Sequence, residues 1–123
     1  MIHVTVTTVS HLLRDDQMVQ LGRFIQATVA TALDVPDDES ARVCDEDVSV
    51  EFGSFMYGIN LPAIQIFILA PDHPRRVHDL AVRLSTIAAE LRTCPHMPSR
   101  AITNQKGGVS VQIVLGPSAW MRI

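Results

Sequence analysis

The chain predicts an α/β two-layer sandwich: a doubled β-α-β unit with a four-stranded mixed sheet and two helices on one face. Three observations carry that expectation. A strand–helix–strand pattern occurs twice and begins at residue 2. The outer strands alternate between an apolar and a polar face. Two amphipathic helices are available to cover the apolar face.

The first strand, Ile2-His3-Val4-Thr5-Val6-Thr7, points Ile2, Val4 and Val6 one way and His3, Thr5 and Thr7 the other. The first helix opens at Asp15 or Asp16, either of which has a side chain suited to an N-cap. Met18, Leu21, Phe24, Ile25, Val29, Ala32 and Leu33 then make one apolar stripe at helical spacing. Val35-Pro36 ends it, because a residue before proline avoids helical geometry. Residues 37–47 are an acidic connector, read as a solvated loop since calcium-loop spacing is lacking. Val48–Phe52 is the second strand, with Val48, Val50 and Phe52 on one face and Ser49 and Glu51 on the other.

The third strand, Ala63–Leu69, is almost wholly apolar, as suits a central position. Pro71-Asp72-His73-Pro74 stops it, with Asp72 the expected cap of a second helix over Arg75–Thr93. In that helix Val77, Leu80, Ala81, Leu84, Ile87, Ala88 and Leu91 form the apolar stripe. Cys94-Pro95 ends it, a loop follows, and Val109–Leu115 alternates again as the last strand.

A ferredoxin-like plan has the same order of elements, with a hairpin between the second and third strands. The connector Ser54–Pro62 argues against it. It is too long and too apolar for a tight solvent-facing turn, and its Phe55, Met56, Tyr57, Ile59 and Leu61 need a surface to cover. A neighbouring subunit is the natural candidate.

At 123 residues, with 47% hydrophobic and 19% charged residues, the chain reads as a single globular domain over 1–123. A net charge of −3 without a basic stripe gives a nucleic-acid partner no electrostatic support. Leu61–Ala70 is far shorter than the ~20 apolar residues a membrane span needs. The start lacks the pattern of a signal peptide, so a cytoplasmic location is the default. Cys44 and Cys94 stand apart, and Cys94-Pro95-His96 has no second ligand pair, so no metal is expected. No glycine-rich phosphate loop, nucleophile elbow or paired catalytic acids appear, and no cofactor is expected. His3 lies on the polar sheet face where Glu51 can reach it. That pairing serves either as acid/base machinery or as a satisfied hydrogen-bond network. His11, His73, His78 and His96 belong to no constellation.

Three stretches bear a resemblance. Leu13-Arg14-Asp15-Asp16-Gln17 is similar to the start of the first helix in small tautomerases. Val48-Ser49-Val50-Glu51-Phe52 followed by Met56-Tyr57-Gly58 is similar to their second strand and its aromatic, glycine-bearing loop. Val111–Trp120, with a proline-containing turn before the tryptophan, is similar to the matching end of their second repeat. The chain thus resembles the tautomerase superfamily, which includes 4-oxalocrotonate tautomerase, 5-carboxymethyl-2-hydroxymuconate isomerase and macrophage migration inhibitory factor.

The resemblance implies a homotrimer with pockets at subunit boundaries and a keto–enol isomerase of small enolisable acids. It also implies an N-terminal proline as the proton-moving amine. Here Ile2 stands where that proline should follow the initiator methionine, and a bulky Ile protects Met1 from removal. The Met1 α-amine is then the group in the base's place, since α-amines titrate near neutral pH. Its thioether chain is an alternative occupant of the pocket. Arg14 matches the carboxylate-binding arginine of the helix start, while Ser49 falls where a second substrate arginine belongs. Tyr57 is implied as an acid or as loop cover. Trp120 is implied as pocket lining or as an anchor for the C-terminal tail. The competing reading is a small-ligand-binding or assembly module without chemistry.

Overall fold

The computed structural model describes residues 1–9, 11–55, 58–59, 61–98 and 108–116. Four strands, β1 (Ile2–Thr8), β2 (Val48–Ser54), β3 (Ile64–Pro71) and β4 (Val109–Gly116), form one sheet in the order β2-β1-β3-β4. β1 pairs β2 in parallel and β3 pairs β4 in parallel. The two β-α-β units meet where β1 and β3 run antiparallel. β2 and β3 flank β1 and do not pair, so the hairpin of the ferredoxin-like plan is absent.

The core follows from the period-2 pattern. Ile2, Val4 and Val6 of β1, Val48 of β2 and Ile64, Ile66 and Ile68 of β3 are buried on one face. Helix α1 (Asp15–Leu33) lays Leu21, Ile25, Val29 and Leu33 on that face, four residues apart each time. Helix α3 (Leu80–Arg92) adds Ile87 and Leu91.

Among the described residues, no helix covers the sheet's other face. Its register places His3 beside Ser49 and Leu69, and Thr5 beside Glu51 and Phe67. Among the described residues, no helix is long and apolar enough to cross a membrane.

Four local expectations are corrected. Neither Asp15 nor Asp16 caps α1. Arg14 holds the N-cap position, and the Gln17 side-chain oxygen accepts its backbone N–H at 3.0 Å. Asp72 does not cap the next helix. His73 does, its Nδ1 accepting the Arg75 N–H at 3.1 Å.

The expected single helix over 75–93 is two: α2 (Pro74–His78), then α3. The break falls at Asp79, whose ψ of 29° is not helical and whose carboxylate takes Arg83 Nε at 2.6 Å. Arg83 also donates to the carbonyls of Ala32 and Asp34, which fixes the start of α3 to the end of α1.

Val77, expected in the apolar stripe, is 60% exposed, and Arg76 takes the inward position at 3%. The reason is hydrogen-bond supply. The end of α1 and the following turn leave carbonyls without partners, and a guanidinium satisfies several at once.

Candidate functional site

β1 is an interior strand whose first residue, Ile2, is already buried. That packing fixes the position of Met1, which stands at the end of the strand with 63% of its surface exposed. Beside it lies a cavity of about 400 Å³. Three pieces of chain wall it: Met1 and Ile2, the connector residues Ser40–Val43 with Asp47, and the β3–α2 junction Pro71–His73 with Arg76. Met1 borders this space without filling it.

The walls are cross-tied. Arg76 donates to the carbonyls of Leu33 (2.9 Å), Pro71 (3.0 Å) and Ala41 (3.1 Å), joining the end of α1, the end of β3 and the connector. Burial, and then the charge of Arg83, hold its proton affinity below the ordinary arginine value. His73 Nε2 meets Asp38 Oδ2 at 2.9 Å, and Arg75 meets Asp37 at 3.0 Å. Because Nδ1 accepts from Arg75, the Nε2 carries the proton that Asp38 accepts. The acidic connector, expected to be a solvated loop, is thereby clasped to α2.

The electrostatics follow from these ties. The Ser40 hydroxyl, then His73, then the Ser40 backbone N–H hold Asp38 down to about 2. Asp34 lies below the usual range because it accepts the Val43 N–H and, secondarily, Arg42. Asp47 is lowered by the Cys44 backbone N–H, then by the Cys44 thiol, with a smaller contribution from the charged N-terminus. The carboxylates of Glu46 and Asp47 accept from that thiol and push Cys44 up to about 11, which removes it as a nucleophile at neutral pH.

A pH prediction arises here. The Asp38 value of about 2 in the fold lies below the unfolded value of about 3.9. The clasp's contribution is therefore fully present above about pH 4 and is lost as pH falls toward 2. The Asp38→Asn variant should melt below the native protein at pH 6, and the two melting temperatures should converge near pH 2.

The residues singled out in the sequence do not all meet. His3 lies on the uncovered sheet face, with Nδ1 2.7 Å from Ser49 Oγ and Nε2 3.3 Å from Glu51 Oε1. It does not line the Met1 cavity. Arg14 pairs with Asp16 at 3.2 Å in the open. It follows the far end of β1 and does not line the Met1 cavity. A single chain does not bring the two together. Tyr57 and Trp120 lie outside the described residues.

Sequence reading missed Arg42, His73 and Arg76 in the cavity wall. The available signal was charge complementarity: acidic residues from 37 onward against Arg75-Arg76 behind a His-Pro helix start. Among the described residues no group of three or more His, Cys, Asp or Glu side chains is placed to hold a metal.

No protein-family model and no curated protein matches the chain. Solved structures do. The macrophage migration inhibitory factor-like protein of Entamoeba histolytica matches at TM-score 0.59 and 6% identity, over 94% of this chain and 89% of its own. Malonate semialdehyde decarboxylase, solved as wild type, with its first-residue proline changed to alanine and in inactivated form, matches at 0.54 and 12%, over 98% and 88%. Pt0534, inactivated by 2-oxo-3-pentynoate, matches at 0.59 and 13%, over 98% and 91%. At such identities the likeness is one of architecture, and the fold of this chain is that of the tautomerase superfamily.

Proposed function

We propose that this chain is a diverged keto–enol isomerase of small enolisable acids, in which the Met1 α-amine stands in for the proline amine. The observation that carries the reading is the position of Met1 at the end of an interior strand, bordering a polar cavity of about 400 Å³. That volume suits a molecule of a few carbons with its carboxylate. Malonate semialdehyde decarboxylase and Pt0534, both of this fold, are solved with a changed first-residue proline and with an acetylenic 2-oxo acid inactivator, respectively. Both facts support a terminal amine that meets small oxo acids.

The amine takes a proton from the carbon next to the substrate carbonyl and returns it at the enol's other end. Arg14 of a second copy binds the carboxylate, and Tyr57 and Trp120 are the further substrate-binding residues. The single 1–123 domain assembles as a homotrimer. Ile59, 87% exposed on the connector, supports that assembly.

Intact mass should show Met1 retained. Turnover of enolpyruvate-type acids should be slow, follow the titration of an amine, and fall about tenfold or more in Arg14→Ala. Inserting Pro after Met1 should permit removal of the methionine and raise the rate. A stable monomer in sedimentation at micromolar concentration overturns the trimer. Absence of both turnover and binding with every 2-oxo acid, in the native and Pro-inserted proteins, overturns the activity. Ile2 in the proline's place favours a second reading, a ligand-binding module of the same fold, for which binding without turnover is the signature.

A further inference from the structure

A second group of chemically competent side chains lies away from the Met1 cavity, on the uncovered sheet face. The parallel register of β1 and β2 sets His3 against Ser49 and Thr5 against Glu51. Residues two apart on β2 point to the same face, so Ser49 and Glu51 flank the imidazole of the neighbouring strand. Ser49 Oγ is 2.7 Å from His3 Nδ1, and Glu51 Oε1 is 3.3 Å from Nε2. Thr5 Oγ1 donates to the same Glu51 oxygen at 3.5 Å.

The proton inventory settles the direction of these bonds. An ionised Glu51 only accepts, so Nε2 carries the ring proton. Nδ1 then presents its lone pair to Ser49, and the serine hydroxyl donates to it. The alternative acceptor for that hydroxyl, the Ile2 carbonyl, is farther away at 3.4 Å. The result is a nucleophile hydrogen-bonded to a base that a carboxylate orients, the arrangement that activates a serine. The ring is used in reverse, with Nδ1 toward the serine.

The His3 side chain is 30% exposed and the Glu51 side chain 64%, so small molecules reach the group from solvent. The N–H groups of β1 are taken up by strand pairing on both sides, and those on the open edge of β2 lie in the plane of the sheet, not over the face that carries Ser49. No oxyanion cradle converges on Ser49 among the described residues.

We propose that Ser49 is an activated nucleophile that takes an acyl group from small activated esters, with His3 as general base and Glu51 as the positioning residue. Ser49 Oγ bonds to the ester carbonyl carbon, and the bond from that carbon to the leaving phenolate breaks. The hydroxyl proton passes to His3 Nδ1 and from there to solvent. Acylation is driven by the good leaving group. Deacylation has neither that help nor an oxyanion cradle, so the acyl-serine accumulates and the reaction stops near one equivalent.

The test is incubation of the full chain with p-nitrophenyl acetate, following phenolate release and mapping the acetyl group by peptide mass spectrometry. Hydroxylamine separates a labile serine ester from stable amides on Met1 or lysine. The expected result is one hydroxylamine-labile acetyl per chain, on Ser49. His3→Ala should slow that labelling about 100-fold, with free imidazole restoring part of it. Glu51→Gln should slow it about tenfold, and Glu51→Asp should recover part of the loss. Ser49→Ala should abolish it while amide acetylation of Met1 continues, which keeps this proposal separable from the amine chemistry. Acetylation confined to amines, or Ser49 labelling at the native rate in a folded His3→Ala or His3→Gln variant, overturns the proposal.

Discussion

Arg76→Met is expected to destabilise the protein by about 3–5 kcal/mol. The residue is 3% exposed, and its guanidinium bonds the carbonyls of Leu33, Pro71 and Ala41. Methionine matches much of its volume, so the loss is not mainly one of packing. It is a loss of donors: the enclosed Leu33 carbonyl and the part-buried Pro71 carbonyl lose the guanidinium, and the enclosed Ala41 carbonyl keeps only the Val35 N–H at 3.3 Å. Each buried group left unsatisfied costs about 1–3 kcal/mol, with some relief from water entering the adjoining cavity. Arg76→Lys should recover only part, because an ammonium lacks the planar fork that reaches three acceptors. Urea unfolding checks both variants. A loss under about 1 kcal/mol for Arg76→Met would show that water replaces the guanidinium freely.

Ile66→Ala carries the second large effect, about 2–5 kcal/mol. Ile66 is fully buried at the middle of β3, between β1 and β4 and beneath the helices. Removing three carbons there leaves a void that the paired strands on both sides cannot collapse to fill. Val50→Ala, on the edge strand β2 and only partly buried, should cost clearly less. Comparable losses in the two variants, by thermal or urea unfolding, would contradict the placement of β3 at the sheet's centre.

These two residues also show what the sequence made legible. Ile66 was readable because strand periodicity is local: Ala63–Leu69 announces a central strand from its own letters. The alternation of β1 and the four-residue spacing of Leu21, Ile25, Val29 and Leu33 were legible for the same reason. Arg76 was not, because what buries it lies elsewhere in the chain. Its partners at Ala41 and Leu33 are 35 and 43 residues away, and helical spacing alone put Val77 in its place.

His73 escaped similarly. Its role as helix cap is local, but its Asp38 partner is 35 residues distant. The helix break at Asp79 depends on Arg83 reaching back to α1. Sequence marked Met1 at the cavity and, away from it on the uncovered sheet face, the His3–Glu51 pair. The cavity wall of Arg42, His73 and Arg76 emerges only when the connector folds over the sheet's end.

The proposed isomerase chemistry requires a free Met1 amine facing a cavity suited to small 2-oxo acids. The most direct measurement is treatment of the protein with 2-oxo-3-pentynoate, the reagent that inactivates Pt0534, followed by peptide mapping. An amine in the cavity adds to the conjugated triple bond and retains the label. The account predicts a single adduct on the α-nitrogen of Met1, blocked by excess of an unreactive 2-oxo acid. No adduct on Met1, or labelling that excess 2-oxo acid does not slow, would contradict it.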